Sequence, residues 1–139
     1  MDDTGTVRLP HDVRSAGAVR RRVGADLGSH GFAPVLTADA VLVLSELVGN
    51  SIRHANPLAG GELEISWDMS DQGVELRVTD GGSPRGPQLR DADADDVGGR
   101  GLTIVTKLAA SWGVETTSLG TTVWALVNGS RGNGQARLA

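Results

Sequence analysis

The sequence contains no cysteine and only one lysine, and both shortages exclude classes of protein. Without cysteine there is no disulfide, no thiolate metal site and no cysteine nucleophile. The single lysine, Lys107, falls in a predicted helix without the glycine spacing of a P-loop, so P-loop chemistry is excluded. No apolar run approaches the roughly 18 residues that span a bilayer, and the acidic start lacks a signal-peptide pattern. These features predict a cytoplasmic protein without membrane association.

Basic residues are also in the minority, with 13 Lys and Arg against 17 Asp and Glu, which gives a net charge of −4. This balance argues against a large surface for a phosphate backbone, so we expect no direct nucleic-acid partner. A chain of 139 residues, 39% hydrophobic and 22% charged, has the size and composition of one globular domain. We expect the domain to cover residues 7–127, with disordered tails at 1–6 and 128–139.

Hydrophobic spacing predicts the element order βααββ, a long loop and αββ. The helix predicted over residues 37–54 has an apolar line that we expect to face the core, formed by Val41, Leu44, Val48 and Ile52. Its opposite side carries a polar stripe, formed by Asp39, Glu46, Asn50, Arg53 and His54. The other helices are predicted at 13–27 and 102–110, and the strands at 6–10, 62–67, 74–78, 114–118 and 121–127.

Helices and strands in separate blocks favour an α+β fold. We expect a two-layer α/β sandwich with helices on one face of a mostly antiparallel mixed sheet. Asp80 has the parity of the inward residues of its strand, so its carboxylate is predicted to point to the apolar side and to need a partner there.

The glycine- and aspartate-rich region 81–101 is predicted to be a long loop, and two familiar ligand sites do not fit it. Gly99-Arg100-Gly101 lacks the strand–turn–helix context of a dinucleotide-binding fingerprint. The acidic run that begins at Asp91 lacks the glycine and the final glutamate of a calcium-binding loop.

Three short motifs carry specific chemistry when they occur together. Glu46 and Asn50 lie one turn apart on a helix, Asp80-x-Gly82 ends a strand, and Gly99-Arg100-Gly101-Leu102 opens a helix. In this order and spacing they resemble the N, G1 and G2 boxes of the GHKL (Bergerat-fold) ATPases. The stretches LSELVGNSIRHA, VTDGG, GGRGLTIV, SWGV and GTTVWALV are most similar to the stand-alone anti-sigma factor serine/threonine kinases of that superfamily. The resemblance covers residues 10–127 and implies a histidine-kinase-like ATPase domain.

The resemblance also assigns roles to single residues, with ATP and Mg²⁺ as cofactors. It implies that Glu46 is the general base and that Asn50 ligates Mg²⁺ together with phosphates and waters. Asp80, an acceptor-only carboxylate, would receive the exocyclic amino group of adenine, and Gly82 would leave room for the ring. Further ATP contacts are implied for His54, Gly99, Arg100, Gly101, Leu102 and Thr121. A helix cap for His54, a solvent-facing Arg100 and a purely sheet-forming Thr121 stay open as alternatives.

As a whole, the resemblance implies a protein-serine kinase that phosphorylates an anti-sigma antagonist and regulates transcription through partner switching. It leaves open a sigma factor as second partner and a homodimer. Two other functions also stay open: a non-catalytic module in which ATP shapes a protein-binding surface, and a stand-alone ATPase. Pro84 departs from the family pattern because it stands where a second glycine is expected. Four lid aspartates, Asp91, Asp93, Asp95 and Asp96, would repel a triphosphate if the lid closed tightly.

Overall fold

The computed structural model describes residues 3–83 and 97–128, with side chains excluded for 97–102. Its elements follow the predicted order: β1 (Asp3–Pro10), α1 (Arg14–Ser29), α2 (Pro34–His54), β2 (Glu62–Ser70), β3 (Gly73–Asp80), α3 (Val97–Leu108), β4 (Ser111–Thr117) and β5 (Gly120–Val127). The helices and strands therefore form the α+β sandwich that the sequence predicts.

The five strands form one sheet in the order β1-β2-β3-β5-β4. Each of the four neighbouring pairs among the described strands is antiparallel, so the mixed character expected for the sheet is wrong. The chain leaves β3, passes through α3 and enters β4 at the sheet edge. The β4–β5 hairpin then brings β5 back beside β3, which keeps the pairing antiparallel.

One face of the sheet supplies the core. Its most buried side chains come from β2, β3 and β5 and are at most 1% exposed: Leu63, Ile65, Trp67, Val74, Leu76, Val78, Ala125 and Val127. The residues of each strand are two positions apart, so alternation along the strand turns them to the same face. The α1 and α2 helices provide the opposing layer. Burial of each large apolar side chain contributes about 1.5–3 kcal/mol to the stability of the fold.

The α2 helix is buried over a wider arc than the sequence predicts. Leu44 and Val48 of the predicted apolar line are fully buried, whereas Val41 and Ile52 are only partly buried. Other buried residues of α2 are Leu36, Ala40, Val43 and Leu47, together with Asp39 and Asn50 from the predicted polar stripe. The prediction of one apolar face and one polar face is too simple, because α2 packs against the sheet, α1 and α3 at once.

By length and composition alone, α2 could cross a membrane, since it has 21 residues and an 18-residue window of mean hydropathy 1.5. This corrects the expectation that no apolar segment is long enough. Half of that window is buried inside the domain, and core helices of folded domains meet the same criterion.

Two element boundaries differ from the predictions. Strand β1 begins at Asp3, opposite Met69, so residues 3–6 are paired with β2 and do not form a disordered tail. Helix α3 begins at Val97, so Gly98–Gly101 lie in a helix and not in the predicted loop. At β1, pairing with β2 outweighs the weak strand propensity of the segment. Residues 84–96 of the long loop predicted over 81–101, and residues 129–139 of the predicted C-terminal tail, lie outside the described residues.

Candidate functional site

Helix α2 places a carboxylate and a carboxamide side by side. Glu46 is half-buried, and Asn50, one turn later, is only 9% exposed. Residues four apart on a helix lie on the same side, one above the other. The core packing of α2 therefore fixes the direction in which both side chains project, as the i, i+4 spacing predicts.

Asp80, the last residue of β3, holds a buried carboxylate. Its side chain is 5% exposed, and both of its oxygens are hydrogen-bonded. The Ser51 hydroxyl of α2 donates to Oδ2 at 2.5 Å, and the Gly82 N–H donates to Oδ1 at 2.8 Å. The predicted inward carboxylate and its need for a partner are both confirmed.

Burial raises the pKa of the Asp80 carboxyl, because a low-dielectric surrounding disfavours its charge. The Ser51 hydroxyl, the Gly82 N–H and the charge of His11 act in the opposite direction and favour the ionised form. An ionised carboxylate has about four lone-pair sites. It can thus keep both internal bonds and still accept a hydrogen bond from a ligand amino group.

The turn after β3 is fixed by backbone bonds to the segment that follows α2. The Gly81 N–H donates to the Asn56 carbonyl at 2.7 Å, and the Asn56 N–H donates to the Gly82 carbonyl at 2.8 Å. Gly82 has a φ of +83°, and a Cβ there would lie 3.1 Å from Thr121 Oγ1. Because that conformation is rarely adopted by other residues, glycine is favoured at this position.

Thr121 of β5 faces Asp80 across the β3–β5 ladder and is 8% exposed. An open cleft of about 450 Å³ adjoins this place, between the turn after β3 and the β4–β5 hairpin. Its volume is within the usual range of about 300–1,000 Å³ for small-molecule sites. The cleft is lined by Asn56, Gly81, Gly82, Ser83 and residues 116–121.

The sequence model of the histidine kinase-like ATPase domain matches residues 9–127, which is most of the chain. The chain belongs to the histidine kinase-like ATPase family. The expected GHKL fold is thereby confirmed, and such a domain implies ATP as its ligand.

A crystal structure of the RsbU and RsbW domains of Rv1364c from Mycobacterium tuberculosis is similar to this ATPase domain. The match has a TM-score of 0.66 and 19% identity, and it covers 91% of this chain and 32% of that one. At this identity the likeness shows a shared fold, and the ATPase domain spans about a third of the other chain. A comparison with curated proteins finds no significant match.

The remaining residues predicted to contact ATP lie at the end of α2 and at the start of α3. His54 is the last residue of α2 and is half-buried, a position compatible with either a phosphate contact or a helix cap. The G2-box residues Gly99, Arg100, Gly101 and Leu102 lie in α3, and their side chains are outside the described residues. Their roles stay predictions.

The described side chains fit a metal ion that binds together with ATP better than a metal ion held by the protein alone. Within residues 3–83 and 97–128, no group of three or more His, Asp or Glu side chains could hold a metal ion. Magnesium prefers octahedral oxygen ligands and usually combines one or two protein groups with phosphates and waters. Asn50 can supply one such oxygen in the ATPase domain, with the others coming from ATP and solvent.

Two residues near Asp80 were missed by the sequence reasoning, namely Ser51 and His11. Ser51 is 4% exposed, and the signal for it was a small polar residue next to Asn50 on the core side of α2. His11 lies in the connection between β1 and α1, and its Nε2 is 3.0 Å from the Ser51 carbonyl oxygen. No periodic pattern relates His11 to β3, so only the folded structure reveals it.

Proposed function

We propose that this domain is an ATP- and Mg²⁺-dependent protein-serine kinase that acts in the cytoplasm. In this proposal it phosphorylates an anti-sigma antagonist, binds a sigma factor in alternation and regulates transcription through partner switching. The family match supports ATP as the ligand. The motif resemblance, together with the fold shared with a chain that contains an RsbW domain, supports the class of partner.

One observation carries the proposal: α2 joins the reacting end of the site to its base-reading end. Glu46 and Asn50 project from its C-terminal half, and the hydroxyl of Ser51, the residue after Asn50, donates directly to Asp80. A single rigid helix therefore sets the distance between the Glu46 carboxylate and the base-reading Asp80. Rigid positioning of this kind is what phosphoryl transfer chiefly requires of a protein.

Each of these side chains has a defined task in the proposed reaction. Asp80 accepts a hydrogen bond from the adenine amino group, and the amide oxygen of Asn50 would be the protein ligand of the magnesium ion. The bound ion would neutralise charge on the phosphate oxygens. Glu46 accepts the hydroxyl proton of the acceptor serine while the serine oxygen forms a bond to the γ-phosphorus. The bond from that phosphorus to the bridging oxygen breaks, and ADP leaves.

The test combines transfer with binding. The full chain is incubated with γ-labelled ATP, magnesium and antagonist proteins from the same genome, and label on serine is measured. Glu46→Gln should lower transfer by about 10²–10⁴-fold and leave the ATP dissociation constant nearly unchanged. Glu115→Gln, at an exposed carboxylate of β4, is the matched control and should keep full activity.

The outcomes separate the alternatives. ATP binding without transfer to any protein or to water would support a module in which ATP shapes a binding surface. Phosphate release without a protein acceptor would support a stand-alone ATPase. Transfer that survives Glu46→Gln would remove Glu46 from its role as general base.

A further inference from the structure

Three side chains from separate parts of the chain form a directed series of hydrogen bonds that ends at Asp80. Ser51, on α2, donates its hydroxyl to Asp80 Oδ2. His11 lies behind it, with Nε2 at 3.0 Å from the Ser51 carbonyl oxygen and 3.5 Å from its hydroxyl. The backbone N–H of His11 donates to the Gly61 carbonyl at 2.9 Å, and this bond fixes the backbone that carries the imidazole.

The chemistry of the partners sets the direction of this chain. A carbonyl oxygen only accepts, so Nε2 of His11 must carry a proton. An ionised carboxylate also only accepts, so the Ser51 hydroxyl must donate to Asp80 and turn its lone pairs toward His11. Nε2–H of His11 therefore supports Ser51, and Ser51 supports the charged form of Asp80.

We propose that Ser51 and His11 are positioning residues for purine recognition, which hold Asp80 ionised and in one rotamer so that it selects adenine. This inference rests on the proposed function, in which Asp80 reads the base. Neither residue needs to touch the nucleotide. The second Asp80 oxygen is fixed by the Gly82 N–H, so loss of Ser51 leaves the carboxylate held at one end only.

The groups that face Asp80 in the described residues explain why Ser51 and His11 matter. Burial raises the pKa of Asp80, whereas Ser51 from α2, Gly82 from the turn after β3 and the charge of His11 lower it. Thr121 faces it from β5 and carries no charge. With Ser51 or His11 removed, the pKa of Asp80 rises further, and the carboxylate takes up its proton at a higher pH.

The sign of the expected effect follows from adenine being a hydrogen-bond donor at its amino group. ATP binding requires the Asp80 carboxylate and weakens as the pH falls through its pKa. Inosine triphosphate presents a carbonyl at the same place, which an ionised carboxylate repels and a protonated one can bind. Loss of the Ser51 hydroxyl should therefore weaken the binding of ATP and leave the binding of inosine triphosphate nearly unchanged.

The experiment is calorimetric titration of the full chain with ATP or inosine triphosphate, both with magnesium, between about pH 5 and 8. Ser51→Ala should lower ATP affinity by roughly tenfold near neutral pH and move the acid loss of ATP binding to higher pH. Ser51→Thr keeps the hydroxyl and should restore both. His11→Gln keeps an N–H donor without the charge and should move the pH profile with a smaller loss of affinity.

Circular dichroism at each pH confirms that every variant is folded, and His11→Gln replaces Ser51→Ala if the latter unfolds. Asp80→Asn separates this inference from the proposed function. If Asp80→Asn abolishes the pH dependence of ATP binding but Ser51→Ala and His11→Gln leave it unchanged, the positioning role is wrong and base reading by Asp80 stands. Equal losses for ATP and inosine triphosphate in Ser51→Ala would likewise overturn the inference. If Asp80→Asn binds ATP like the natural chain, the base-reading role fails and takes the inference with it.

Discussion

Gly120 lies where the β4–β5 hairpin touches the end of β3, and its replacement by alanine should destabilise the domain strongly. It is the first residue of β5 and has a φ of +154°. A Cβ added there would lie 1.9 Å from the carbonyl oxygen of Asp80 and 3.0 Å from its carbonyl carbon. These are backbone atoms of the central strand, which cannot rotate away.

Two costs add in the Gly120→Ala variant. A side chain in this region of φ carries strain of about 1–3 kcal/mol. The hairpin must also move by about 1 Å or more to relieve the contact, an overpacking cost of about 1–3 kcal/mol. The sum of about 2–6 kcal/mol is a large part of the usual 5–15 kcal/mol of domain stability.

Urea unfolding followed by tryptophan fluorescence and circular dichroism measures this loss. Gly28→Ala is the matched control, because a Cβ at that position in α1 would meet nothing within 4 Å. Alanine is favoured over glycine in helices by about 1 kcal/mol, so this variant should be as stable as the natural chain or more so. A Gly120→Ala protein whose free energy of unfolding stays within about 0.5 kcal/mol of the natural value would refute the contact with Asp80.

Three further predictions concern the packing of α1 on β1 and β2. Trp67→Phe removes the bond from Nε1 to Asp26 Oδ2 at 2.7 Å and should cost about 2 kcal/mol in urea unfolding; an unchanged midpoint would contradict it. Gly5→Ala should cost about 1–3 kcal/mol, since its Cβ would lie 2.3 Å from the Trp67 ring, and Trp67→Phe in the same chain should recover part of that loss. His30 Nε2 lies 2.7 Å from Asp3 Oδ2; the Asp26 carbonyl and the Asp3 carboxylate raise the pKa of His30, and His30 lowers the pKa of Asp3. This ion pair should stabilise the fold fully where both groups are charged. Its contribution should fall as the pH rises through the His30 pKa, above 6.5, and also as the pH drops through the Asp3 pKa, below 3.8. His30→Gln should therefore flatten the pH dependence of the free energy of unfolding, and a retained dependence would disprove the link.

The sequence by itself determined the local features of the site. The four-residue spacing of Glu46 and Asn50 is enough to put them on one side of α2, because helix geometry is set by short-range bonds. The parity of Asp80 in β3 is enough to turn its carboxylate inward, because side chains alternate along a strand. Order and type of the elements follow from the same two periodicities.

Only the tertiary structure decided which distant residues meet at those positions. His11 and Ser51 are 40 residues apart in sequence, and Ser51 and Asp80 are 29 apart, yet the three form one chain of contacts. The wide burial of α2, including Asp39, likewise arises because α1, α3 and the sheet strands β3 and β5 pack on it at once. Such contacts depend on the summed packing of the whole domain, which leaves no periodic signal in the residues concerned.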